Sequence, residues 1–324
     1  MPNNTRKEPV IHVVHDDVVH DDVVHDDVVT VVADSAVSHT CGTFVGARDL
    51  TIAYQEWAPA TGSVRGVIMV VHGIGEHSGR YEKLAHDFVK VGFAVGALDH
   101  RGHGKSEGKR VQVEKFDDLT DDLSTYEELL RTRYPAPLPL FLVAHSMGGL
   151  ISLRYLTRSA SSEVATSEVS GLVLSSAAAA KPTDIPDVTI FIGKLLAKVL
   201  PDFGVASLNL DKISRDPQVL IDYNNDPLVT VGKVRARMGS ELLTAMDKTE
   251  QALPSLTVPV LIMHGGDDVV TPPEGSRMIA DKIGSTDMTL TIYDGLWHEI
   301  YNEPERDEVI GDVIAWLDRQ LTSA

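Results

Sequence analysis

From residue 42 onward the chain alternates short, almost wholly apolar runs with longer stretches in which apolar residues return every three or four positions. "LTIAYQEW" and "GVIMVVHG" have the length and β-branched content of strands, "YEKLAHDFVKVG" carries the helical period and stops at Gly92, and "FAVGALDH" is a strand again. A long helical pattern over "VEKFDDLTDDLSTYEELLRTRY" follows, then the strand "LPLFLVAH", the helix "GGLISLRYLTRS" and the strand "SGLVLSSA". Strands that are apolar on both faces and separated by helices predict an α/β fold: a mostly parallel central sheet with helices on both faces. The rhythm breaks after residue 180 and returns at "PVLIMHG", runs through "PPEGSRMIADKIG" and "MTLTIYDG", and closes with "EVIGDVIAWLDRQL". The pattern therefore divides the chain into a first core part over 41–180, an inserted helical cap over 181–246, and a second core part over 247–324.

Residues 1–40 stand outside this rhythm. "VVHDDVVHDDVVHDD" repeats one pentapeptide three times and brings in His15, His20 and His25 with paired aspartates, a composition that suggests a metal site. The spacing argues against one. Five residues rotate a helix by roughly 140° and flip a strand to its opposite face, so neither form gathers the histidines. The segment reads as a low-complexity acidic tail.

Composition narrows the function. With 324 residues, 43 % of them apolar, the chain can bury a large core. A formal net charge of −18 repels phosphate backbones and anionic membranes, which leaves no nucleic-acid partner and requires any lipid contact to be apolar. Cys41 is the only cysteine, so no intramolecular disulfide can form. The start "MPNNTRKEPV" lacks a signal-peptide core, and no run approaches the ~18 apolar residues of a membrane span. A cytoplasmic chain without a transmembrane segment is the expectation.

"LFLVAHSMGGL" places Ser146 at the turn between a buried strand and a helix, with small residues Ala144 and Gly148 two positions to either side. Such a turn lifts a serine above the sheet edge as a nucleophile and presents the Met147 N–H at a helix N-terminus, where an oxyanion is favoured. The commonest form of the turn has glycine where Ala144 stands. Glycine is required only where φ is positive or backbones touch, so one methyl group is tolerable there. "HGIGEH" supplies a second oxyanion donor, since Gly73 and Gly75 let the loop aim the Ile74 N–H at the same point. A nucleophilic hydroxyl needs a base, and the base an orienting acid. In chain order, "HGGDDVV" offers Asp267 or Asp268 and "YDGLWHEIYNEPE" offers His298, each just beyond a predicted strand. "DHRGHGKSEG" holds Asp99, His100 and His103 among glycines and reads as a tight structural loop, because it lacks the closed ligand spacing zinc prefers. The proposed chemistry requires neither metal nor cofactor.

Taken jointly and in order, "HGIGEHSGRY", "DHRGHGKSEG", "AHSMGG", "HGGDDVV" and "YDGLWHEIYNEPE" resemble the monoacylglycerol lipases of the α/β-hydrolase superfamily, and "ISRDPQVLIDYNNDPLV" resembles a cap segment of the bacterial members. The resemblance spans about residues 42–322. It implies Ser146 as nucleophile, Asp268 rather than Asp267 as acid, His298 as base, and Ile74 and Met147 as oxyanion donors. It further suggests that Glu76 and Arg80 form a polar pocket for glycerol, against the alternative of a structural ion pair, and that Tyr301 lies near the same mouth. In the cap, "VTIFIGKLLAKVL" sets Phe191, Leu195 and Val199 on one stripe and Ile192, Leu196 and Leu200 on the next. That apolar face is expected to line an acyl tunnel, with Phe191 and Leu195 as substrate contacts, and to touch lipid peripherally. The implied reaction is hydrolysis of a monoacylglycerol or another small acyl ester to fatty acid and alcohol. A general carboxylesterase or lysophospholipase is the nearest alternative, and a non-catalytic lipid-binding protein is the alternative of another class. Dehalogenase and epoxide hydrolase chemistries would need a carboxylate at position 146.

Overall fold

The structure is a computed structural model, and it describes residues 29–34, 36–161, 169–181, 197–207 and 210–323. In chain order the first part contains β1 (Val29–Asp34), β2 (Val37–Val45), β3 (Thr51–Pro59), β4 (Gly66–Val71), α1 (Glu82–Lys90), β5 (Phe93–Leu98), α2 (Asp117–Arg133), β6 (Leu140–His145), α3 (Met147–Ser161) and β7 (Val169–Ser175). After β7 come β8 (Gly204–Ser207), α4 (Pro217–Asn225), β9 (Lys233–Arg235) and α5 (Ala236–Ala252). The chain then returns to the main sheet with β10 (Val260–Gly265), α6 (Glu274–Lys282), β11 (Met288–Tyr293) and α7 (Arg306–Ser323). One sheet of 9 strands runs in the order β1-β2-β3-β5-β4-β6-β7-β10-β11. From β5 to β11 every pairing is parallel, and β1, β2 and β3 join antiparallel at the other edge.

Period-two alternation divides the central strands between two cores. Val67, Met69, Val71, Leu140, Leu142 and Ala144 face one core, with Leu119, Leu123 and Tyr126 of α2 and Leu150 and Leu153 of α3. Ile68, Val70, Phe141 and Val143 face the other, with Leu84 and Phe88 of α1 and Val313, Trp316 and Leu317 of α7. Every residue of β4, β5, β6 and β10 is buried, as strands covered by helices on both faces must be. All the loops that leave the parallel strands at their carboxyl ends therefore converge on one edge.

Two expected boundaries move. The sheet begins at Val29, inside the stretch assigned to the tail: β1 pairs antiparallel with β2, Val29 opposite Cys41 and Asp34 opposite Val37. Beyond Asp27 the paired aspartates of the repeat stop, and the β-branched run "VVTVV" is free to hydrogen-bond to the open edge of β2. At the other end, α5 runs through the expected cap limit of 246 to Ala252. Its buried Met238, Ala245 and Thr249 give it one continuous inward face, so no break falls there. The pentapeptide repeat and the cap residues Phe191, Ile192, Leu195 and Leu196 lie outside the described residues. Val199 and Leu200, from the same apolar stripes, are 72 % and 52 % exposed rather than covered.

Candidate active site

Ser146 sits immediately after β6 with φ 53°, a left-handed conformation that costs a non-glycine residue on the order of 1–2 kcal/mol and that its neighbours enforce. Its N–H donates to the Ser175 carbonyl at 3.0 Å, and its carbonyl accepts from Gly149 N and Ala178 N, both at 3.0 Å. The tight approach falls at Gly148, where a Cβ would collide with the carbonyl oxygen of Val71. Ala144 lies within β6, fully buried and outside the positive-φ positions, so its methyl group packs into the core and the turn closes around it.

His298 Nε2 is 3.1 Å from Ser146 Oγ, and His298 Nδ1 is 2.7 Å from Asp268 Oδ2. Between the two candidate aspartates the fold selects Asp268, which is buried, while Asp267 is exposed. Asp268 Oδ1 accepts the Val270 and Thr271 N–H groups at 2.8 and 3.0 Å, and Oδ2 also accepts the Thr271 hydroxyl at 3.0 Å. Burial opposes ionisation of this carboxyl, but the His298 and His264 imidazoles and their hydrogen bonds hold it far below the usual carboxylate range. The result is a fixed anion behind His298, aligned with the Ser146 hydroxyl.

The loop after β4 presses against the serine: a Cβ added to Gly73 would stand 3.2 Å from Ser146 Cβ. Ile74 lines the cleft that holds Ser146 and His298, and Met147 opens α3 directly after the serine. Glu76 shapes the loop, since its Oε1 accepts Gly73 N at 2.6 Å and the Tyr81 hydroxyl at 2.8 Å. Its Oε2 accepts Arg80 Nη1 at 2.6 Å, and Arg80 also grips Glu299 through two bonds of 2.8 and 2.7 Å. Burial alone would raise the Glu76 carboxyl, but Arg80, with His145 and His72, brings it down to about 2. The Arg80 guanidinium lies 4.6 Å over the Tyr223 ring of the segment between β8 and β9. Glu76 and Arg80 are thus a buried ion pair, and Glu76 also lines the serine's cleft.

That cleft is lined by the polar Glu76, Tyr223 and Glu299 and by the apolar Leu210, Ile213 and Val270. Tyr301, inside the turn Ile300–Asn302, is buried and lines a neighbouring cleft with Arg80 and Tyr81, and His145 and Glu299 line both clefts. His145 is buried; burial first, and then the His298 imidazole 4.7 Å away, push its pKa down to about 4.

Reasoning from the sequence missed Glu299, Tyr223 and Ile213 as walls of the cleft, and His264 and Thr271 as partners of Asp268. Glu299 and Tyr223 stood inside stretches already singled out, but only tertiary packing turns them inward. Ile213 is held by its carbonyl, which accepts Glu299 N at 2.7 Å. Among the described residues no group of three or more His, Cys, Asp or Glu side chains is arranged to hold a metal.

The Hydrolase_4 family, described as serine aminopeptidase S33, matches residues 62–305. A monoacylglycerol lipase of Mycolicibacterium smegmatis is 38 % identical over 279 residues, 86 % of this chain and 97 % of that protein. The Homo sapiens monoglyceride lipase is 34 % identical over 270 residues, 83 % of this chain and 87 % of that one. Among solved structures, the Paleococcus ferrophilus monoacylglycerol lipase superposes with a TM-score of 0.71 at 31 % identity, over 84 % of this chain and 99 % of that one. Fold, motif order and relatives together make this chain a carboxylic ester hydrolase belonging to the monoacylglycerol lipase family of α/β-hydrolases.

Proposed function

We propose that the chain hydrolyses monoacylglycerols to fatty acid and glycerol, with Ser146 as nucleophile, His298 as general base and acid, and Asp268 as the orienting acid. The observation that carries the reading is the hydrogen-bonded run from Ser146 Oγ through His298 to Asp268, beside a cleft lined by both polar and apolar side chains. The Ser146 proton passes to His298 Nε2 as Oγ attacks the ester carbonyl carbon, and the charge that develops on the carbonyl oxygen meets the Ile74 and Met147 N–H groups. The tetrahedral species then breaks its bond to the glycerol oxygen, which leaves with the proton from His298. Water repeats the cycle: His298 takes one of its protons, the hydroxide adds to the acyl carbon, and Ser146 Oγ departs with that proton. Asp268 stabilises the imidazolium formed in each half.

The Glu76–Arg80–Glu299 cluster suits glycerol hydroxyls, because two carboxylates share one guanidinium and keep acceptor capacity at the cleft wall. Leu210, Ile213 and Val270 suit the start of an acyl chain, each buried methylene of which contributes ~0.8 kcal/mol. Residues 181–252 form the cap in this reading. No helix among the described residues is long and apolar enough to cross a membrane. The cap exposes Val199, Leu200, Phe203 and Val205, which supports peripheral contact with lipid through apolar side chains rather than charge in a cytoplasmic enzyme.

The test is release of fatty acid from a monoacylglycerol, the matching diacyl- and triacylglycerols and an alkyl ester of equal acyl length, by the wild type and by Ser146→Ala. Preference for the monoester, lost in Ser146→Ala, is the expected result. Equal cleavage of the alkyl ester would leave a general carboxylesterase, and binding without turnover would leave a lipid carrier.

A further inference from the structure

A second ring reaches the acid. His264, the second-last residue of β10, is completely buried, with Nδ1 2.7 Å from Ser276 Oγ and Nε2 2.7 Å from the Thr271 carbonyl oxygen and 3.1 Å from Asp268 Oδ2. A carbonyl oxygen only accepts, so Nε2 carries the proton and Nδ1 accepts from the Ser276 hydroxyl on α6. Both ends of the ring are thereby fixed, and its one N–H is divided between the loop carbonyl and the carboxylate. Oδ2, the oxygen that His298 uses, receives His298, His264 and Thr271 together, while Oδ1 receives two backbone N–H groups.

We propose that His264 is a positioning residue of the hydrolytic machinery: by sharing Asp268 Oδ2 with His298, it sets where that oxygen stands and limits how tightly the carboxylate holds the His298 ring. The inference rests on the reading of Ser146, His298 and Asp268 given above. Each donor on Oδ2 disperses its negative charge, so an imidazolium on His298 is held less tightly and returns its proton to the leaving group more readily. Other ionisable groups face this pair without hydrogen-bonding to Asp268: His145 from the end of β6, Glu76 from the oxyanion loop, and Glu299 beside His298, with Arg80 joining the two glutamates.

The experiment measures kcat, KM and the pH dependence of kcat/KM on p-nitrophenyl butyrate for the full chain and for His264→Leu. The variant is expected to lose on the order of tenfold in kcat with KM little changed. The acid limb of its profile moves to higher pH, because Oδ2 with one donor fewer keeps the His298 proton longer. His264→Gln, whose amide N–H can reach the same oxygen, moves the limb back toward the wild type. A folded His264→Leu with the wild-type limb overturns the proposal. If that variant does not fold, Ser276→Ala decides, since it removes the hydroxyl that holds the far end of the His264 ring in place: a lowered kcat and displaced limb uphold the role, and a wild-type profile overturns it. Turnover by Ser146→Ala would sink the underlying serine-hydrolase reading. An inert Ser146→Ala beside an unmoved limb sinks the role of His264 alone.

Discussion

Two groups of buried histidines stand at the carboxyl edge of the same sheet, and they differ in what an aspartate does for them. His72, His100 and His103 form a trio with ring centroids 4.2 to 6.3 Å apart. The neighbouring acid, Asp99, is turned away from them: Oδ1 accepts the N–H and hydroxyl of Ser78, and Oδ2 accepts Lys105 N. The rings instead hold backbone, His72 through the Gly73 carbonyl and His100 N, His103 through the Arg101 carbonyl. Burial lowers all three, His103 to about 3, with like-charge neighbours adding to it at His100 and His103 and the acids Glu76 and Asp99 opposing it at His72. At Asp268 the same residue type at the same depth is handed a carboxylate oxygen on one side and a serine hydroxyl on the other. Burial alone makes a histidine inert, and an oriented anion makes it a base.

The most severe way to break this contrast is Asp268→Asn, which leaves His298 in surroundings like those of the trio. It is expected to lower kcat by roughly 10⁴, the scale seen when a triad acid loses its charge, with KM nearly unchanged; steady-state kinetics on a monoacylglycerol would check it. A loss below tenfold would mean that His298 does not depend on this anion.

Acid should attack the trio next. The lowered folded-state pKa values of His72, His100, His103 and His145 mean that the unfolded chain binds protons near 6.5 which the native fold refuses. Their contribution to stability is complete above that pH and is lost as pH falls toward 4 and below, by about 1.4 kcal/mol per pH unit for each histidine. Thermal unfolding followed between pH 7.5 and pH 5 should show Tm falling continuously, and a flat profile would contradict the neutral trio.

His103→Leu separates structure from chemistry. It leaves the Arg101 carbonyl without its donor and should cost about 1–3 kcal/mol in denaturant unfolding, with kcat/KM within about threefold of the wild type. A kinetic loss larger than the stability loss would move the trio into the machinery. Ala144→Gly should have the smallest effect, a destabilisation of about 0.5–1 kcal/mol from added chain freedom and little kinetic change. A large gain in kcat would show that the methyl group strains the elbow after all.

How far the chain could be read depends on how local the cause is. Buried parallel strands announce themselves as continuous apolar runs, so the order of β4 to β7 and of β10 and β11 was legible, and with it which loops share an edge. Ser146, His298 and the pair Asp267/Asp268 could be nominated because each lies just beyond such a strand. The start of the sheet was hidden, since "VVTVV" reads as a continuation of the repeat until an open edge is present for it to join.

The sequence by itself determined the fold class, the small residues of the elbow and the chain order of the candidate serine, aspartates and histidine, all consequences of backbone geometry and of which segments must be buried. Tertiary structure alone decided that Asp268 and not Asp267 turns toward His298, and that Glu299 closes the ion pair on Arg80. It also decided that the histidines beside Asp99 stay neutral while His298 gains an anion. The physical reason is direction: a strand's sequence dictates where its chain ends, but only the packed neighbours of a loop dictate where each side chain points, and charge acts along those lines.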